Sequence, residues 1–245
     1  MSALDEAQDI MYRAWETKSR SRRIALARKA LTISPDCADA YVLLAEQAAT
    51  SLDEAIELNQ KGVEAGERAI GKRAFKEDVG HFWGLPETRP YMRARLGLAQ
   101  CLWDAGKKKE AVEHYKDMLH LNPGDNQGIR YILVSCLLDL GSDRELMFLL
   151  EKYNSEYDTY QLYTKALLSF RDQGDCEESR KHLEGARDVN PHVPAYLLGK
   201  KKIPKRLPDY VGFGDESEAL SYAGDNIKNW KATPGALDWL ASQSQ

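Results

Sequence analysis

The side chains best suited to catalysis or metal binding are scattered along this sequence. Many zinc sites and dithiol centres use short, fixed spacings such as CxxC or HExxH, and neither pattern occurs. No GxxxxGK[ST] phosphate loop and no GxSxG motif is present. The sequence therefore predicts no metal, no cofactor and no catalytic residue. We interpret the histidines as surface residues: His81, His114, His120, His182 and His192. We interpret the cysteines as small buried residues of a protein in a reducing compartment: Cys37, Cys101, Cys136 and Cys176.

Two basic runs are the next candidates for chemistry. Residues 18–29 contain six Lys or Arg in 12 positions, and residues 200–206 contain five in seven. Such runs bind RNA phosphates or other anions, or they form a solvated helix face and a solvated linker. The net charge is −4, and no aromatic residues for base stacking interleave with the first run. An RNA- or anion-associated regulatory factor is therefore the alternative function, and the main prediction includes no nucleic acid.

The composition favours a globular helical protein. Apolar residues make up 43% and charged residues 29% of the 245 residues. The longest apolar run, at 131–138, has eight residues, whereas a membrane span needs roughly 18. The N-terminus is acidic and lacks the charged-then-apolar order of a signal peptide. These features predict a cytoplasmic protein without a membrane partner.

The elements that must position any site are helices arranged in repeats. In the segments 89–125 and 160–194, a glycine precedes a proline by 17 residues. The two glycines, Gly106 and Gly174, are 68 residues apart, and so are the two prolines. This spacing is twice the 34-residue period of tetratricopeptide repeats.

The segment 89–125 closely resembles the tetratricopeptide repeat (TPR) family. Leu98 and Ala99 fill the large–small pair of the first helix, Gly106 ends that helix, and Ala111 is the small residue where the two helices cross. Leu102, Tyr115, Leu121 and Pro123 continue the pattern. The resemblance implies an all-α, TPR-like right-handed helical superhelix of about five helical hairpins with a C-terminal helical cap.

An excess of 20 residues separates the second hairpin from the third. We therefore predict that residues 1–199 form the repeats, with a lengthened helix and a loop inserted at 61–90. Residues 200–245 form a connector and two capping helices. The first capping helix begins at Asp215, and the second has Thr233 as its N-cap.

The C-terminal part resembles a second, more specific family. "NPHVPAYLL" at 190–198, "GDESEALSYAGDNIKNWKATPGALDWL" at 214–240 and the segment 148–170 look like the corresponding region of the suppressor of tumorigenicity seven family. This similarity covers residues 148–240. It implies degenerate TPR units before this region and suits soluble bacterial relatives of the family. Its animal members are expected to carry N-terminal membrane segments.

The TPR resemblance implies a scaffold that binds a protein or peptide in a concave groove lined by the first helix of each hairpin. The chaperone-tail carboxylate clamp is absent, because Leu96, Gln100 and Tyr131 occupy its positions. Trp103 either packs between hairpins or joins Arg93 and Arg130 in an aromatic and guanidinium hot spot. Phe82 and Trp83 are secondary candidates, and their loop at 80–90 either enters the groove or covers the long helix. The expected partner-binding residues are Arg93, Gln100, Trp103, Gln127, Arg130, Val134 and Arg171. The oligomeric state is left open.

Overall fold

A computed structural model of the chain describes residues 2–155, 157–207 and 210–243. The described residues form thirteen α-helices and one 3-10 helix, with no strand among them. The chain separates into two compact units, Met1–Leu133 (unit 1) and Val134–Gln245 (unit 2). The division predicted at residue 199 follows the sequence pattern and stays a prediction.

Unit 1 consists of three helical hairpins. We call the first helix of each hairpin its A helix and the second its B helix. The A helices are α1 (Ala3–Glu16), α3 (Ala38–Gln47) and α5 (Arg89–Asp104). The B helices are α2 (Arg20–Ile33), α4 (Leu52–Glu77) and α6 (Lys108–Leu121). A 3-10 helix, Pro86–Thr88, precedes α5, and α7 (Ile129–Leu140) crosses from unit 1 into unit 2.

The third hairpin shows how the repeat sequence produces this packing. Gly106 has φ +78°, a conformation that suits glycine, and it ends α5. Ala111 is fully buried where α6 crosses α5, and Tyr115 is 1% exposed below it. These residues have the packing roles that the TPR resemblance predicts.

The predicted lengthening of the second hairpin is present in α4, which has 26 residues. Gly62 and Gly66 let α4 approach α5 closely, because a Cβ at Gly66 would lie only 2.8 Å from Tyr91 Cβ. At Gly71 the backbone leaves the helical region, with φ 76° and ψ 158°. The last part of α4 then directs Phe75 onto the buried ring of Phe82.

Unit 2 contains the remaining helices. They are α8 (Asp143–Lys152), α9 (Thr159–Gln173), α10 (Glu177–Val189), the short α11 (Val193–Leu197), α12 (Glu216–Ala232) and α13 (Ala236–Ser242). The described helices therefore follow the predicted order of five helix pairs, α1/α2 to α9/α10, before α11 and the two capping helices. The sequence pattern did not predict α11. Residues 208 and 209 of the connector, including Pro208, lie outside the described residues.

The capping helices begin partly as predicted. Asp215 is the N-cap of α12, and its carboxylate accepts hydrogen bonds from the backbone N–H groups of Ser217 and Glu218. The prediction that Thr233 caps α13 is wrong. Thr233 follows the end of α12 and donates its hydroxyl to the Asn229 carbonyl, while Gly235, with φ +78°, is the N-cap of α13.

Candidate protein-binding surface

The A helices of unit 1 are joined by hydrogen bonds to one buried carboxylate. Asp39, in the first turn of α3, is fully buried. Arg93 of α5 donates to it through Nε at 2.7 Å and Nη2 at 2.6 Å, and Gln8 of α1 donates through Nε2 at 2.7 Å. This bidentate pair fixes the plane of the Arg93 guanidinium. Side chains from three A helices therefore share one face, which we call the A-helix face of unit 1.

Two exposed aromatic rings lie beside this ion pair. The Arg93 Cζ atom is 5.2 Å from the centre of the Trp15 ring, within the range of a cation–π contact. Tyr12 lies one helical turn before Trp15, with the ring centroids 5.9 Å apart. Tyr12 is 49% exposed and Trp15 39% exposed, which is unusual for large aromatic residues. We call Gln8, Tyr12, Trp15, Asp39 and Arg93 the Arg93 cluster.

The Arg93 cluster has the composition of a binding hot spot, since Trp, Tyr and Arg dominate the energetics of protein interfaces. Trp15 and Tyr12 offer large contact areas with only two side-chain torsions each to fix. Arg93 is already held by Asp39, so a ligand would not have to order it. What this arrangement can do chemically is bind through apolar contact and stacking.

The other predicted residues of α5 lie apart from this cluster. Gln100 is exposed, and Trp103 is half-buried with the Lys108 ammonium 4.9 Å from its ring centre. The aromatic partner of Arg93 is thus Trp15 of α1, whereas Trp103 stacks with a lysine of its own hairpin.

The predicted residues before and within α7 form a local structure. Asp125 has φ +47° and accepts hydrogen bonds from the backbone N–H groups of Ile129 (2.7 Å) and Arg130 (3.0 Å). The Arg130 guanidinium bonds to Asp125 and lies 4.5 Å from the Tyr131 ring centre. Burial raises the pKa of Asp125, and these donors act in the opposite direction. Gln127 is half-buried in the same turn.

The secondary candidates, Phe82 and Trp83, lie on the inserted loop. Phe82 is fully buried against Phe75 and Tyr91, with ring centroids 5.1 and 6.1 Å away. It is a core residue, so its ring offers no surface to a partner. Trp83 is half-buried and lies 5.6 Å from the Arg89 guanidinium carbon. Of the two interpretations of loop 80–90, the contacts of Phe82 favour cover of the long helix.

Unit 2 presents a different A-helix face, because α12 covers α9. Tyr160 of α9 donates its hydroxyl to Asp225 of α12 at 2.6 Å, and its ring meets Tyr222 edge-on at 5.3 Å. Thr164 and Leu168, two residues of α9 at inner-face positions, are 0% and 5% exposed. The first half of the α9 face, from Tyr160 to Thr164, is therefore covered by the chain's own capping helix.

Two predicted binding residues belong to unit 2. Val134 is 3% exposed. Arg171 bonds to Asp143 at 2.8 Å and to the Thr233 hydroxyl at 3.2 Å. Val134 is thus buried, and Arg171 is held by hydrogen bonds within unit 2 with its side chain 24% exposed, which leaves both little surface for a partner.

Sequence reasoning missed the contribution of α1 to the Arg93 cluster. The first hairpin departs from the repeat pattern, so none of its residues was chosen as a binding candidate. The spacing of Gln8, Tyr12 and Trp15, at i, i+4 and i+7, was the available signal, because this spacing places the three side chains on one helix face.

The basic runs are largely exposed to solvent. In 18–29, Arg20 donates to the backbone carbonyl of Gln47 at 2.9 Å, and Arg23 is half-buried. In 200–206, Lys201 pairs with Glu216. Their proposed role in anion binding stays a prediction.

The cysteines and histidines form no metal site in the described part of the chain, where no group of three potential ligands occurs. Cys37 and Cys136 are buried as predicted, and burial raises the pKa of the Cys37 thiol to about 11. The prediction of burial is wrong for Cys101 and Cys176, which are partly exposed. None of the described helices has the length and apolar composition needed to cross a bilayer.

A profile of the family described as ST7 protein matches residues 2–243. The match extends far beyond the 148–240 segment on which the resemblance was first based. Similar curated proteins include the Suppressor of tumorigenicity 7 protein-like of Homo sapiens and the Protein ST7 homolog of Drosophila melanogaster. Each is 30% identical over 97% of this chain, which aligns with 45% and 48% of their respective lengths. The chain thus spans about half the length of the curated relatives it matches.

The structure is also similar to that of YrrB, described as a TPR protein with an unusual peptide-binding site. The TM-score is 0.52 at 18% identity, and the match covers 77% of this chain and 85% of YrrB. This similarity confirms the all-α, TPR-like fold.

Proposed function

This chain belongs to the ST7 protein family, and we propose that it acts as a non-enzymatic scaffold that binds a protein partner on the A-helix face of unit 1. The observation that carries this proposal is the Arg93 cluster, where Tyr12 and Trp15 are exposed beside a guanidinium held by Asp39. The TPR fold supports it, since such repeats present surfaces for partner recognition. The description of YrrB as peptide-binding agrees with this role.

The expected ligand is a peptide segment or a helix of the partner. Trp15 and Tyr12 would supply the apolar contact, and the ordered Arg93 would stack on a ring of the ligand or donate a remaining N–H to a carbonyl. Gln100, Trp103, Gln127 and Arg130 remain proposed contacts of unit 1. We place this function in the cytoplasm.

Removal of the two exposed rings tests the proposal. We expect the double variant Tyr12→Ser/Trp15→Ser to lose the partners that the wild-type chain captures, because truncating aromatic anchors typically weakens an interface by about 2 kcal/mol or more. The measurement is a quantitative comparison of co-purified proteins by mass spectrometry. Circular dichroism checks that each variant is folded.

The matched control is Phe148→Ser/Tyr157→Ser, which removes two exposed rings of unit 2 that are 70% and 75% exposed. Its partner list should equal that of the wild type. If the Tyr12/Trp15 variant also keeps the complete list, the A-helix face of unit 1 is not the binding surface.

A further inference from the structure

A cleft of about 300 Å³ lies next to the Arg93 cluster in unit 1. We propose that this cleft receives a lysine or arginine side chain of the bound partner. The inference rests on the proposed function and specifies the chemistry of its ligand. The cleft is lined by α1, the turn into α3, the middle of α4, the 3-10 helix and the first turn of α5: Leu4, Asp5, Gln8, Asp9, Tyr12, Asp36, Ala38, Gly66, Ala69, Pro86, Glu87 and Pro90.

The charges of the lining favour a cation. Four of the lining residues are carboxylates and none is basic. Asp36 is paired with Arg68 at 2.7 Å, and Asp5 accepts the backbone N–H of Ser2 at the start of α1. Asp9 and Glu87 are exposed and have no ion-pair partner among the described residues. Two carboxylates of the cleft, one from α1 and one from the 3-10 helix, therefore have neither a cation nor a hydrogen-bond donor as partner among the described residues.

The remaining walls suit the aliphatic part of a long basic side chain. Leu4, Ala69, Pro86 and Pro90 provide apolar surface. Lysine and arginine bury their methylene groups along such surfaces while their charged ends contact polar groups. The volume equals that of about ten water molecules, which is ample for one such side chain.

The position of the cleft connects it to the aromatic surface. Gln8 and Tyr12 line the cleft, and both are members of the Arg93 cluster. The exposed Tyr12 ring lies between the acidic lining and Trp15, where it can also contact a cation through its face. A peptide that packs on Trp15 can therefore direct a neighbouring basic side chain toward Asp9 and Glu87.

A random dodecapeptide library displayed on phage tests the inference with the full chain as bait. We expect peptides rich in Lys or Arg to be selected. A selected peptide, made synthetically, should bind about fivefold to tenfold more weakly to Asp9→Asn/Glu87→Gln, as the loss of two partly exposed ion pairs implies. Replacing its basic residue by Gln should weaken binding to the wild type equally and leave binding to the double variant unchanged.

The control Glu184→Gln/Asp188→Asn makes the same charge change on exposed residues of α10 and should bind like the wild type. Selection of peptides without basic residues, with binding unaffected by Asp9→Asn/Glu87→Gln but lost in Tyr12→Ser/Trp15→Ser, would overturn the inference and leave the proposed function standing. A library from which the chain selects no peptide contradicts both.

Discussion

Trp15 of the A helix α1 in unit 1 and Trp230 of the capping helix α12 in unit 2 lie in opposite environments. Trp15 is 39% exposed on the A-helix face of unit 1. Trp230 of α12 is fully buried, donates its indole N–H to the Tyr222 hydroxyl at 3.0 Å and lies parallel to Trp239. In unit 2 the chain supplies its own helix to cover α9. In unit 1, Tyr12 and Trp15 of the A helix α1 remain at the surface.

The face of α9 that α12 covers shows which contacts a helix makes when it binds to an A helix. Along α9, the contacts of α12 combine ring against ring, as in Tyr163 and Tyr222 at 5.6 Å, with a tyrosine hydroxyl on the Asp225 carboxylate. Apolar burial supplies most of the stability, and the polar contact fixes the position along the helix. By analogy, a partner of unit 1 would cover Tyr12 and Trp15 and make few polar contacts.

The largest effect should come from removing the buried ring. We expect Trp230→Ala to lower the free energy of unfolding of unit 2 by about 3–5 kcal/mol, because it leaves a cavity and removes the indole donor of the buried Tyr222 hydroxyl. Urea unfolding followed by circular dichroism, together with hydrogen exchange of α9 and α12, measures this loss. Trp15→Ala, the matched change on the A-helix face of unit 1, should lower the free energy of unfolding by less than about 1 kcal/mol. Similar costs for the two variants would contradict the contrast between the faces.

A smaller effect on stability is expected from removing Asp39, the buried carboxylate of the Arg93 cluster. Asp39→Ala leaves Arg93 and Gln8 without their shared acceptor, and Arg93, 29% exposed, can still reach water. We expect a loss of about 2–3 kcal/mol in the stability of unit 1, at or below the lower end for breaking a buried ion pair. Thermal unfolding should show a lower melting temperature. Peptide binding should also weaken, because the Arg93 guanidinium is no longer held beside Trp15.

The control for this change is Asp36→Ala, which breaks an ion pair with Arg68 whose side chains are 37% and 52% exposed. Such surface pairs contribute about 0–1 kcal/mol, so the stability should hardly change. An equal loss in both variants would mean that Asp39 has no special role in ordering the face.

A modest effect is expected from the ion pair at the edge of the covered face. Lys228 of α12 bonds to Asp139 of α7 at 2.9 Å, and its side chain is 57% exposed. Lys228→Ala should therefore cost less than about 1 kcal/mol, measured by urea unfolding. Hydrogen exchange of α9 should stay slow, since aromatic burial holds α12 in place. Rapid exchange throughout α9 would show that the cover depends on this charge.

The smallest difference should appear as pH dependence of opposite sign in the two units. In unit 1, burial and the neighbouring Arg95 lower the pKa of His114, so the unfolded chain binds the proton more readily. The stability of unit 1 is then fully present above the ordinary value of about 6.5 and is lost as the pH falls through the lowered pKa. In unit 2, burial raises the pKa of Asp225. That contribution is present below about 3.9 and is lost as the pH rises through the raised pKa.

Hydrogen exchange between pH 7 and pH 4, corrected for the intrinsic exchange rates, measures these slopes. Protection of α6 should fall at the lower pH in the wild type and change less in His114→Gln. In the wild type, hydrogen-exchange protection of α12 should rise as the pH falls, and in Asp225→Asn this rise should be absent. The same slope in wild type and His114→Gln would assign the dependence to other groups.

The sequence predicted the helices of this fold better than the contacts of its surface. Gly106 and Ala111 act within one hairpin, and the 20-residue excess is one continuous stretch before α5, so spacing along the chain was enough to predict these features. Arg93 was chosen from its place on α5, but its partners Asp39 and Trp15 come from two other helices. A helical period identifies a face, and it does not tell which side chain of a neighbouring helix will meet it. The five residues of α11 are too few to show a period.

Gly71 gives the inserted segment a further property. In an unbroken α-helix, each added residue rotates everything after it by about 100°. Because the backbone of α4 leaves the helical region at Gly71, residues gained or lost between that point and Pro86 need not turn α5 away from α3. Evolution can thus vary the length of this stretch while the alignment of Arg93 with Asp39 is preserved.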